Sequence, residues 1–441
     1  MSVYGAMNTA VSGLGAQSSA LANISDNIAN SRTTGYKRVD TAFSTLVTSS
    51  DQNQHQAGGV RARPSFRNDV QGNMEQSQVN THLGVTGKGY FSVSQPESLD
   101  PDSGAVNFKP SSFYTRAGDF EMDQNGYLVN SSGYYLNGWD VNPENGVADT
   151  AAVKPIRVSQ LQDSPVATTN IQYAANLPSQ VDINTELPAN SIQIYDSVGN
   201  ERNLDLNWEK TANDQWTLNI APAGDVSHDQ FGPIVFNFDK GRIDSINASG
   251  ADGSGPNNGQ VGLVPPSGNG EPAELAFSLD FGGGVGDQDV VLNMGTYGEA
   301  NGTTQFTGTE LQLNSLDQNG VPPGAFKDLI VDDAGYVNLN YDNGQTKTYF
   351  QVPLTQFNNP NGLTRLDGNA FQQSPNSGVP RLNPPGLGSN GTISSQTLEA
   401  SNVDISDEFT KMITAQRTYS ANSKVITTAD EMLAEVINIK R

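Results

Sequence analysis

Residues 23–38 read NISDNIANSRTTGYKR, and an apolar helical pattern enters this stretch from its N-terminal side. Upstream of it, apolar residues recur at alternating steps of four and three, with Gln17 as the one polar member. This heptad spacing is typical of an amphipathic helix that pairs with other helices. It predicts an N-terminal helix with the seam row Val3, Met7, Ala10, Leu14, Gln17, Leu21, Ile24 and Ile28.

The C-terminal segment has the same spacing, so both chain ends are predicted to be amphipathic helices. A second apolar row widens the face of this helix at Val425, Ala429, Met432 and Val436. The main row of the C-terminal helix is Ile405, Phe409, Met412, Gln416, Tyr419, Ser423, Ile426, Asp430, Leu433 and Ile437.

Neither helix is expected to stand alone. Gly13 and Gly15 each destabilise a helix interior by roughly 1 kcal/mol relative to Ala. Small residues do allow neighbouring backbones to come close, so we expect a segment that is frayed in the free chain and ordered when packed against other helices. The nearest partner of each helix is the other one. The residues alone leave open whether they form a hairpin within one chain or a bundle shared by several chains.

Composition excludes some classes of partner. The chain of 441 residues has 47 acidic and 24 basic side chains, a net charge of −23, and would be repelled by a nucleic-acid backbone. The first 50 residues carry a net charge of +1 and the last 46 carry −2, so the middle carries −22. Nearly neutral ends can pack against copies of themselves, while an acidic middle stays hydrated.

No arrangement of residues in the sequence points to catalysis, a metal or a cofactor. The chain has no Cys, and its three His lack metal-ligand spacing. Pairs of carboxylates are expected by chance among 47 acids. Residues 1–31 have neither the basic nor the apolar region of a cleavable secretory signal, and no stretch approaches a membrane span. We therefore expect no enzyme, no membrane insertion and, if the chain is exported, export without such a signal.

The middle of the chain is predicted to consist of short strands separated by Asn-Gly and Ser-Gly turns. The stretch DDAGYVNLN at 332–340 echoes DQNGYLVNSS at 123–132, which suggests that the two belong to one domain interrupted by an insertion. Such nesting brings both termini to one end. The predicted segments are an N-terminal axial helix at 1–36, a connector at 37–72, an inner β domain at 73–153 and 325–372, an inserted outer β domain at 154–324, a connector at 373–395 and a C-terminal axial helix at 396–441.

Motifs at both ends resemble those of the bacterial flagellar rod and hook proteins. Their N-terminal signature has the core N-N-I-A-N followed by T-x-G-[YF]-K. Here Asn27, Ile28, Ala29 and Asn30 match the core, with Asp26 in place of its first Asn, and Thr34, Gly35, Tyr36 and Lys37 complete it. The C-terminal signature is similar to residues 398–441. Within this family, the length and the ending are most similar to the hook branch, whose members carry an inserted outer β domain.

The resemblance implies a structural subunit that polymerises with itself into a helical tube. Paired terminal helices would form the inner wall, in a coiled-coil-like bundle with nested β domains outside. The tube would act as a flexible universal joint that passes motor torque to the filament. Implied partners are other copies of the chain, the distal rod protein, the hook cap protein, the hook-filament junction proteins and the flagellar type III export apparatus. The implied location is the extracellular part of the flagellum.

The resemblance also implies roles for residues at the ends. Asn27, Asn30, Thr34 and Gly35 should end the helix and turn the chain outward, since Asn tolerates the left-handed conformation and Gly allows a positive φ. Tyr36 and Lys37 would start the crossing toward the β domains. The apolar residues Val3, Met7, Leu14, Leu21, Ile24 and Ile28 should pack against Phe409, Met412, Tyr419, Ile426, Leu433 and Ile437 of the same or adjacent subunits.

Three alternatives compete with this interpretation. A distal rod protein would be a straight shaft, and the inserted domain argues against it. A secreted β-rich surface adhesin would bind a ligand as a monomer and would not polymerise. An enzyme acting on cell-wall glycan would need a placed catalytic acid, and the sequence offers no candidate.

Overall fold

The structure, a computed structural model, describes residues 3–51, 54–99, 106–143, 145–158, 163–228, 230–248, 258–259, 261–263, 270–282 and 285–439. Two α-helices lie at the two ends of the chain, α1 (Val3–Ala29) and α2 (Ile405–Ile439). Between them the described chain is strand and turn, apart from two single-turn 3-10 helices at Pro360–Gly362 and Asp367–Asn369. The predicted fold class, mainly β with helical termini, is confirmed.

The chain divides into two compact units. The first consists of Met1–Leu161, Lys327–Asn340 and Thr346–Arg441, and the second of Gln162–Phe326 with Tyr341–Gln345. The strands before the second unit are β1 (Val39–Asp51), β2 (Gln54–Phe66), β3 (Met74–Gln76), β4 (Leu83–Thr86), β5 (Tyr90–Ser94), β6 (Pro96–Leu99), β7 (Val106–Phe108), β8 (Phe113–Thr115), β9 (Phe120–Met122), β10 (Leu128–Asn130), β11 (Tyr135–Asp140) and β12 (Lys154–Pro155).

The strands of the second unit form a sheet of five and a sheet of seven. They are β13 (Asn170–Asn176), β14 (Thr185–Glu186), β15 (Asn190–Tyr195), β16 (Glu201–Ala212), β17 (Gln215–Pro222), β18 (Gln230–Asp239), β19 (Arg242–Ala248), β20 (Asn258–Gly259), β21 (Val261–Leu263), β22 (Pro272–Asp280), β23 (Asp287–Thr296) and β24 (Gln312–Gln318).

The remaining strands belong mainly to the first unit. They are β25 (Phe326–Val331), β26 (Tyr336–Tyr341), β27 (Thr346–Gln351), β28 (Leu354–Gln356), β29 (Thr364–Arg365), β30 (Ala370–Gln372), β31 (Arg381–Asn383), β32 (Thr392–Ser395) and β33 (Thr397–Glu399).

Strands from distant parts of the chain share the large sheet of the first unit. Its main path runs β25, β26, β27, β11, β5, β8, β30 and β29. β27 pairs with β11, where Trp139 lies opposite Gln351, and β30 pairs with β8, where Phe371 lies opposite Tyr114. Late segments therefore complete a sheet that early segments begin.

The second unit is a β-sandwich. In β16 buried and less buried positions alternate, because successive side chains of a strand point to opposite faces, and Leu204, Leu206 and Trp208 point inward. One hydrophobic cluster takes Ile171 and Leu292 from the five-stranded sheet together with these residues of the seven-stranded sheet. The two sheets therefore pack face to face around one core.

The repeated sequence element forms the same turn twice. Asp123 Oδ1 accepts hydrogen bonds from the backbone N–H groups of Asn125 and Tyr127, at 2.9 and 2.8 Å. Asp332 Oδ1 accepts from the N–H groups two and four residues later, at 3.0 and 2.8 Å. The glycine within each turn has a φ near +80°. Both stretches are hairpin turns held by an Asp side chain.

Both helices are shorter than the predicted axial segments. α1 ends at Ala29, and residues 30–35 form turns and a bend. α2 begins at Ile405, because Asp404 caps it by accepting hydrogen bonds from the N–H groups of Ser406 and Asp407 at 2.8 and 3.2 Å. The stretch before it forms β33, which pairs with β3.

The predicted connector at 37–72 contains a long antiparallel hairpin of β1 and β2. Val39 lies opposite Phe66 at its base, and Asp51 lies opposite Gln54 at its tip.

Candidate assembly site at the paired chain ends

The two terminal helices lie against each other through small side chains. The buried small residues are Ala10, Gly13, Ala16 and Ala20 on α1 and Ala415 and Ala429 on α2. A Cβ on Gly13 would lie 2.8 Å from Nδ2 of Asn422, so the backbones approach closely there. The helices run antiparallel, since Asn27 near the end of α1 contacts Glu408 near the start of α2. We call this contact the small-residue seam.

Most residues of the predicted seam rows lie beside the small-residue seam, and Ala10 belongs to both. Of these residues, Ala10 and Ile24 are buried within the chain. The half-buried ones are Val3, Met7, Leu14, Leu21, Ile28, Met412, Ile426 and Leu433. Ile405, Phe409 and Tyr419 are exposed, Phe409 to 50%. The side chain of Ile437 lies outside the described residues. Small side chains thus occupy the contact within one chain, and most of the large apolar ones remain at least partly open.

Two grooves flank the pair of helices. One of about 680 Å³ lies between α1, the first turns of α2 and β1, and its walls include Ile24, Phe43 and Lys411. The other, about 560 Å³, is mainly apolar and is lined by residues that include Val3 and Met432. Both grooves expose apolar side chains next to the small-residue seam.

Asn27 of the predicted signature is a buried hydrogen-bonding centre. Its Nδ2 donates to the backbone oxygen of Val39 and to Glu408 Oε2, each at 3.0 Å. Its Oδ1 accepts from the N–H of Val39 at 2.9 Å and from the hydroxyl of Tyr36 at 3.2 Å. A buried amide with all these partners satisfied fixes the positions of the groups around it. Asn27 therefore joins the end of α1, the start of β1 and the start of α2.

Gly35 provides a backbone conformation and a close contact that other residues disfavour. Its φ is +68°, in the left-handed region, and a Cβ would lie 2.5 Å from the backbone nitrogen of Ala117. Its N–H donates to the backbone oxygen of Glu399 at 2.8 Å. Beside it, the backbone oxygen of Thr34 accepts from Asn369 Nδ2 at 3.0 Å. These contacts bring the end of the signature against the first β unit.

Lys37 lies in a buried cluster with Glu399 and Arg116. Its Nζ is 2.5 Å from Glu399 Oε1 and donates to the backbone oxygen of Val70 at 2.6 Å. Arg116 Nη1 is 2.8 Å from Glu399 Oε2, and the N–H of Gly72 donates to Oε1 at 2.8 Å. The side chain of Glu399 has no exposed surface. One carboxylate thus serves two cations taken from strands and turns far apart in the chain.

Burial and the neighbouring charges together set the pKa values in the cluster. Burial lowers the pKa of Lys37 to about 8; the charge of Glu399 opposes this shift and that of Arg116 supports it. Burial by itself raises the pKa of Glu399, but the two cations outweigh it and hold that pKa below its usual range. The carboxylate therefore stays ionised, and burial is the main cause that disfavours the protonated amine of Lys37.

Tyr36 and Arg365 form a second contact at the same place. The guanidinium of Arg365 lies 5.6 Å from the centre of the Tyr36 ring and 5.0 Å from that of Phe66. Arg365 also donates to the backbone oxygen of Lys37. Burial, together with the charge of Asp26, raises the pKa of Tyr36 to about 12. The aromatic ring and the cation pack the signature against the large sheet.

The signature was predictable from the sequence, but its partners were not. Glu399 and Glu408 lie within residues 398–441, and Arg116 and Arg365 belong to no recognised motif. The only signal these four residues give in the sequence is their charge, since only 16% of the residues in the chain are charged.

The other residues of the signature are less buried. Ile28 and Asn30 are half-buried and Ala29 is exposed. No group of three or more His, Asp or Glu able to hold a metal occurs in the described part of the chain.

Four family models match the sequence. The model described as Flagella basal body rod protein matches residues 7–37, and Flagellar hook protein FlgE/F/G D1 domain matches 84–197. Flagellar basal body protein FlaE D2 domain matches residues 160–321, and Flagellar basal body rod FlgEFG protein C-terminal matches 394–439. Together they extend from α1 to α2. In the described residues, neither helix is long and apolar enough to cross a membrane.

Curated relatives match along the whole chain. The flagellar hook protein FlgE of Brucella suis is 34% identical over 448 aligned residues, which cover 100% of both chains. Those of Caulobacter vibrioides and Escherichia coli are 29% and 28% identical, and cover 100% and 99% of this chain and 100% of each relative. A solved structure of Helicobacter pylori flagellar hook protein FlgE2 aligns with a TM-score of 0.45 and 16% identity, over 74% of this chain and 100% of that one. By its full-length similarity to these relatives, the chain belongs to the flagellar hook protein family.

Proposed function

We propose that the chain is the structural subunit of the flagellar hook, which polymerises into a helical tube that acts as a flexible universal joint and transmits motor torque to the filament. Family membership supports a structural role in the flagellum. The observation that carries the assembly mechanism is the offset between the small-residue seam and the large apolar side chains of α1 and α2. Self-assembly would cover side chains that one copy leaves open.

The proposed interface between copies consists of the large residues beside the seam. On α2, Phe409 and Ile413 are 50% and 52% exposed, and on α1, Val11 is 56% exposed. Exposed side chains of this size on one pair of helices are typical of surfaces that pack against other helices. The remaining predicted contacts between the rows of α1 and α2 of neighbouring copies belong to the same proposal.

We propose that the two compact units have different roles in the joint. The paired helices would form the inner wall and carry torque, and the second unit would correspond to the inserted outer domain at 154–324. Bending would reside in contacts among outer domains. Deletion of residues 154–324 tests this division by electron microscopy of the tubes, and unchanged bending and supercoiling would count against it.

The partners and the location follow from the proposed assembly. The rod-protein family models match both ends of the chain, which supports compatible contacts with the distal rod protein. Other proposed partners are the hook cap protein, the hook-filament junction proteins and the type III export apparatus, with an extracellular location and no cleavable signal. We assign no catalytic role to the chain.

Electron microscopy of the purified protein tests the proposal. The full chain should form tubes, and a chain lacking residues 1–36 should stay monomeric. Tubes from both would remove α1 from the assembly role. A finer test replaces both Phe409 and Ile413 by Ser, with replacement of Thr410 and Thr414 by Ser as the control on the same helix turns. Because the two apolar side chains are half exposed, the monomer should keep its fold while tubes are lost.

A further inference from the structure

The small-residue seam has one register along its described length. Asn27 contacts Glu408, and Gly13 faces Asn422, so a step of 14 residues back along α1 matches a step of 14 residues forward along α2. Halfway between these contacts, the same register places Ala20 opposite Ala415, and both are buried. The pairs that face each other therefore recur every seven residues along each helix, and the middle pair, Ala20 and Ala415, consists of two small residues.

Such a seam distinguishes poorly between registers. If α2 moved by one heptad, Ala20 would face Asn422 in one direction, and Gly13 would face Ala415 in the other. Each of these pairs can approach closely, because the residues are small or of moderate size. Repeats of this kind are prone to slip unless a polar pair favours one alignment.

Asn27 and Glu408 provide this discrimination. Asn27 has no exposed surface, and Glu408 is 1% exposed. A shift of seven residues in one direction would place Asn27 opposite Ala415, and the opposite shift would place Glu408 opposite Ala20. In both cases Glu408 would lose the amide that donates to its Oε2. A buried polar group that loses a partner is strongly unfavourable.

The pair is also attached to the rest of the first unit. Glu408 Oε1 accepts from Lys411 Nζ at 2.6 Å, and Lys411 is 3.1 Å from Asp40 Oδ1 in β1. Arg67 Nε in turn donates to Asp40 Oδ2 at 3.0 Å. The alignment of the two helices is thereby set relative to the base of the hairpin.

We propose that Asn27 and Glu408 select the register in which α1 pairs with α2, and so determine which large apolar side chains stand side by side on the outer surface of the pair. The register within one chain does not depend on the proposed assembly. Its consequence for neighbouring copies does, because it rests on the proposed function. Both residues act here as positioning residues.

Disulfide formation measures the register, because the natural chain contains no Cys. Ala20→Cys with Ala415→Cys reports the native register. Asn422→Cys with either Ala20→Cys or Ala6→Cys reports a shift of seven residues in one direction or the other. Intrachain bonds are recognised in the full chain by non-reducing electrophoresis and mass spectrometry. Each reporter is made in the natural background, in N27L/E408M and in E408Q.

In the natural background, the native reporter should close at least about tenfold faster than the shifted ones, the preference expected from one charge-assisted hydrogen bond. In N27L/E408M this preference should fall to a factor of about three or less, since no buried polar group favours one register. E408Q should keep a smaller preference than the natural pair, because Gln still offers an oxygen to Asn27 but no charge.

An unchanged preference in N27L/E408M would overturn the inference. Loss of helical circular dichroism in that variant would also overturn it, because the pair would then supply stability rather than register. If the register shifts but normal tubes still form, the failure concerns the proposed interface between copies and leaves the register intact.

Discussion

Substitution of Glu399 by Gln tests whether charge holds the cluster at the base of the helices. The buried carboxylate accepts from Lys37 Nζ at 2.5 Å, Arg116 Nη1 at 2.8 Å and the N–H of Gly72 at 2.8 Å. Gln has nearly the same shape but no charge, so two buried cations would remain without an anion. Removing one partner of a buried ion pair destabilises a protein by about 3–5 kcal/mol.

Lys37→Met is the matched control. It leaves Arg116 and Glu399 as a one-to-one pair and removes the surplus positive charge from the cluster. It also removes the hydrogen bonds from Lys37 to the backbone oxygen of Val70 and to Glu399 Oε1, together with the cost of burying the ammonium group. The net loss should be about 1 kcal/mol or less, because the removed cost of burial offsets part of the roughly 1 kcal/mol that each hydrogen bond contributes.

Hydrogen exchange with mass spectrometry is the assay, because it reads opening segment by segment. In Glu399→Gln, amides in residues 34–38 and 114–118 should exchange at least about 150-fold faster, which corresponds to 3 kcal/mol. Amides in residues 204–222 of the second unit should not change and serve as the internal reference. Equal acceleration by Glu399→Gln and Lys37→Met would refute the argument, because charge balance would then have no part in the stability of the cluster.

Three further predictions concern the backbone, a helix cap and pH. Gly35→Ala should destabilise the first unit by about 1–3 kcal/mol in urea unfolding, because it adds backbone strain and a clash. Gly15→Ala should instead stabilise α1 by about 1 kcal/mol, because the structure leaves open space for the added Cβ. The same sign for both would contradict this account. Asp404→Ala should remove the cap of α2 and destabilise it by about 1 kcal/mol, seen as faster amide exchange in its first turn only. The pKa of Lys37 is lower in the folded protein than its ordinary 10.5, so the unfolded chain binds more protons between pH 8 and 10, and the free energy of unfolding should rise there by up to about 2–3 kcal/mol. Above pH 10 it should fall, because Tyr36 keeps its proton in the folded protein to about pH 12. Urea titrations from pH 7 to 11 check this profile, and Lys37→Met should abolish the rise but not the fall.

The periodicity of the sequence predicted both helices but only part of the face that is buried within the chain, at Ala10 and Ile24. Hydrophobic spacing selects the large residues Leu14 and Leu21, whereas the structure buries Gly13 and Ala20, one position earlier. Closeness of approach depends on side-chain size, which a hydrophobic pattern does not weigh. The large residues remain on the flanks of the seam, where the sequence cannot tell whether the same chain or another one covers them.

The connector and the helix boundaries show a second limit. The segment at 39–66 has its own long hairpin, which contacts α1 where the N–H of Val60 donates to Ser12 Oγ at 3.2 Å. The predicted heptad row of the C-terminal helix begins at Ile405, which is also the first residue of α2, and Asp404 is the recognisable cap before it. The periodic rows therefore agree with the helix bounds, whereas the wider axial segments at 1–36 and 396–441 also include turns and a strand.

The buried cluster could not be predicted from the sequence. Lys37, Arg116 and Glu399 meet only because the strands between them fold into one unit, and their order in the chain contains no spacing rule. Once the fold is known, the geometry gives the Gly-Tyr-Lys part of the signature a physical reason. Gly35 allows the close approach, Tyr36 packs under Arg365, and Lys37 enters the cluster.

The most direct measurement of the central claim is the reactivity of a single cysteine at position 409 before and after assembly. Phe409 is half exposed in one copy, and the natural chain has no Cys that could react in its place. With a small fraction of Phe409→Cys mixed into the natural chain before assembly, a maleimide should label the monomer rapidly and the tube slowly, and depolymerised tubes should regain the fast rate. Equal labelling of monomer and tube would show that assembly leaves this surface uncovered, and would contradict the claim that the large apolar side chains beside the small-residue seam form the contacts between copies.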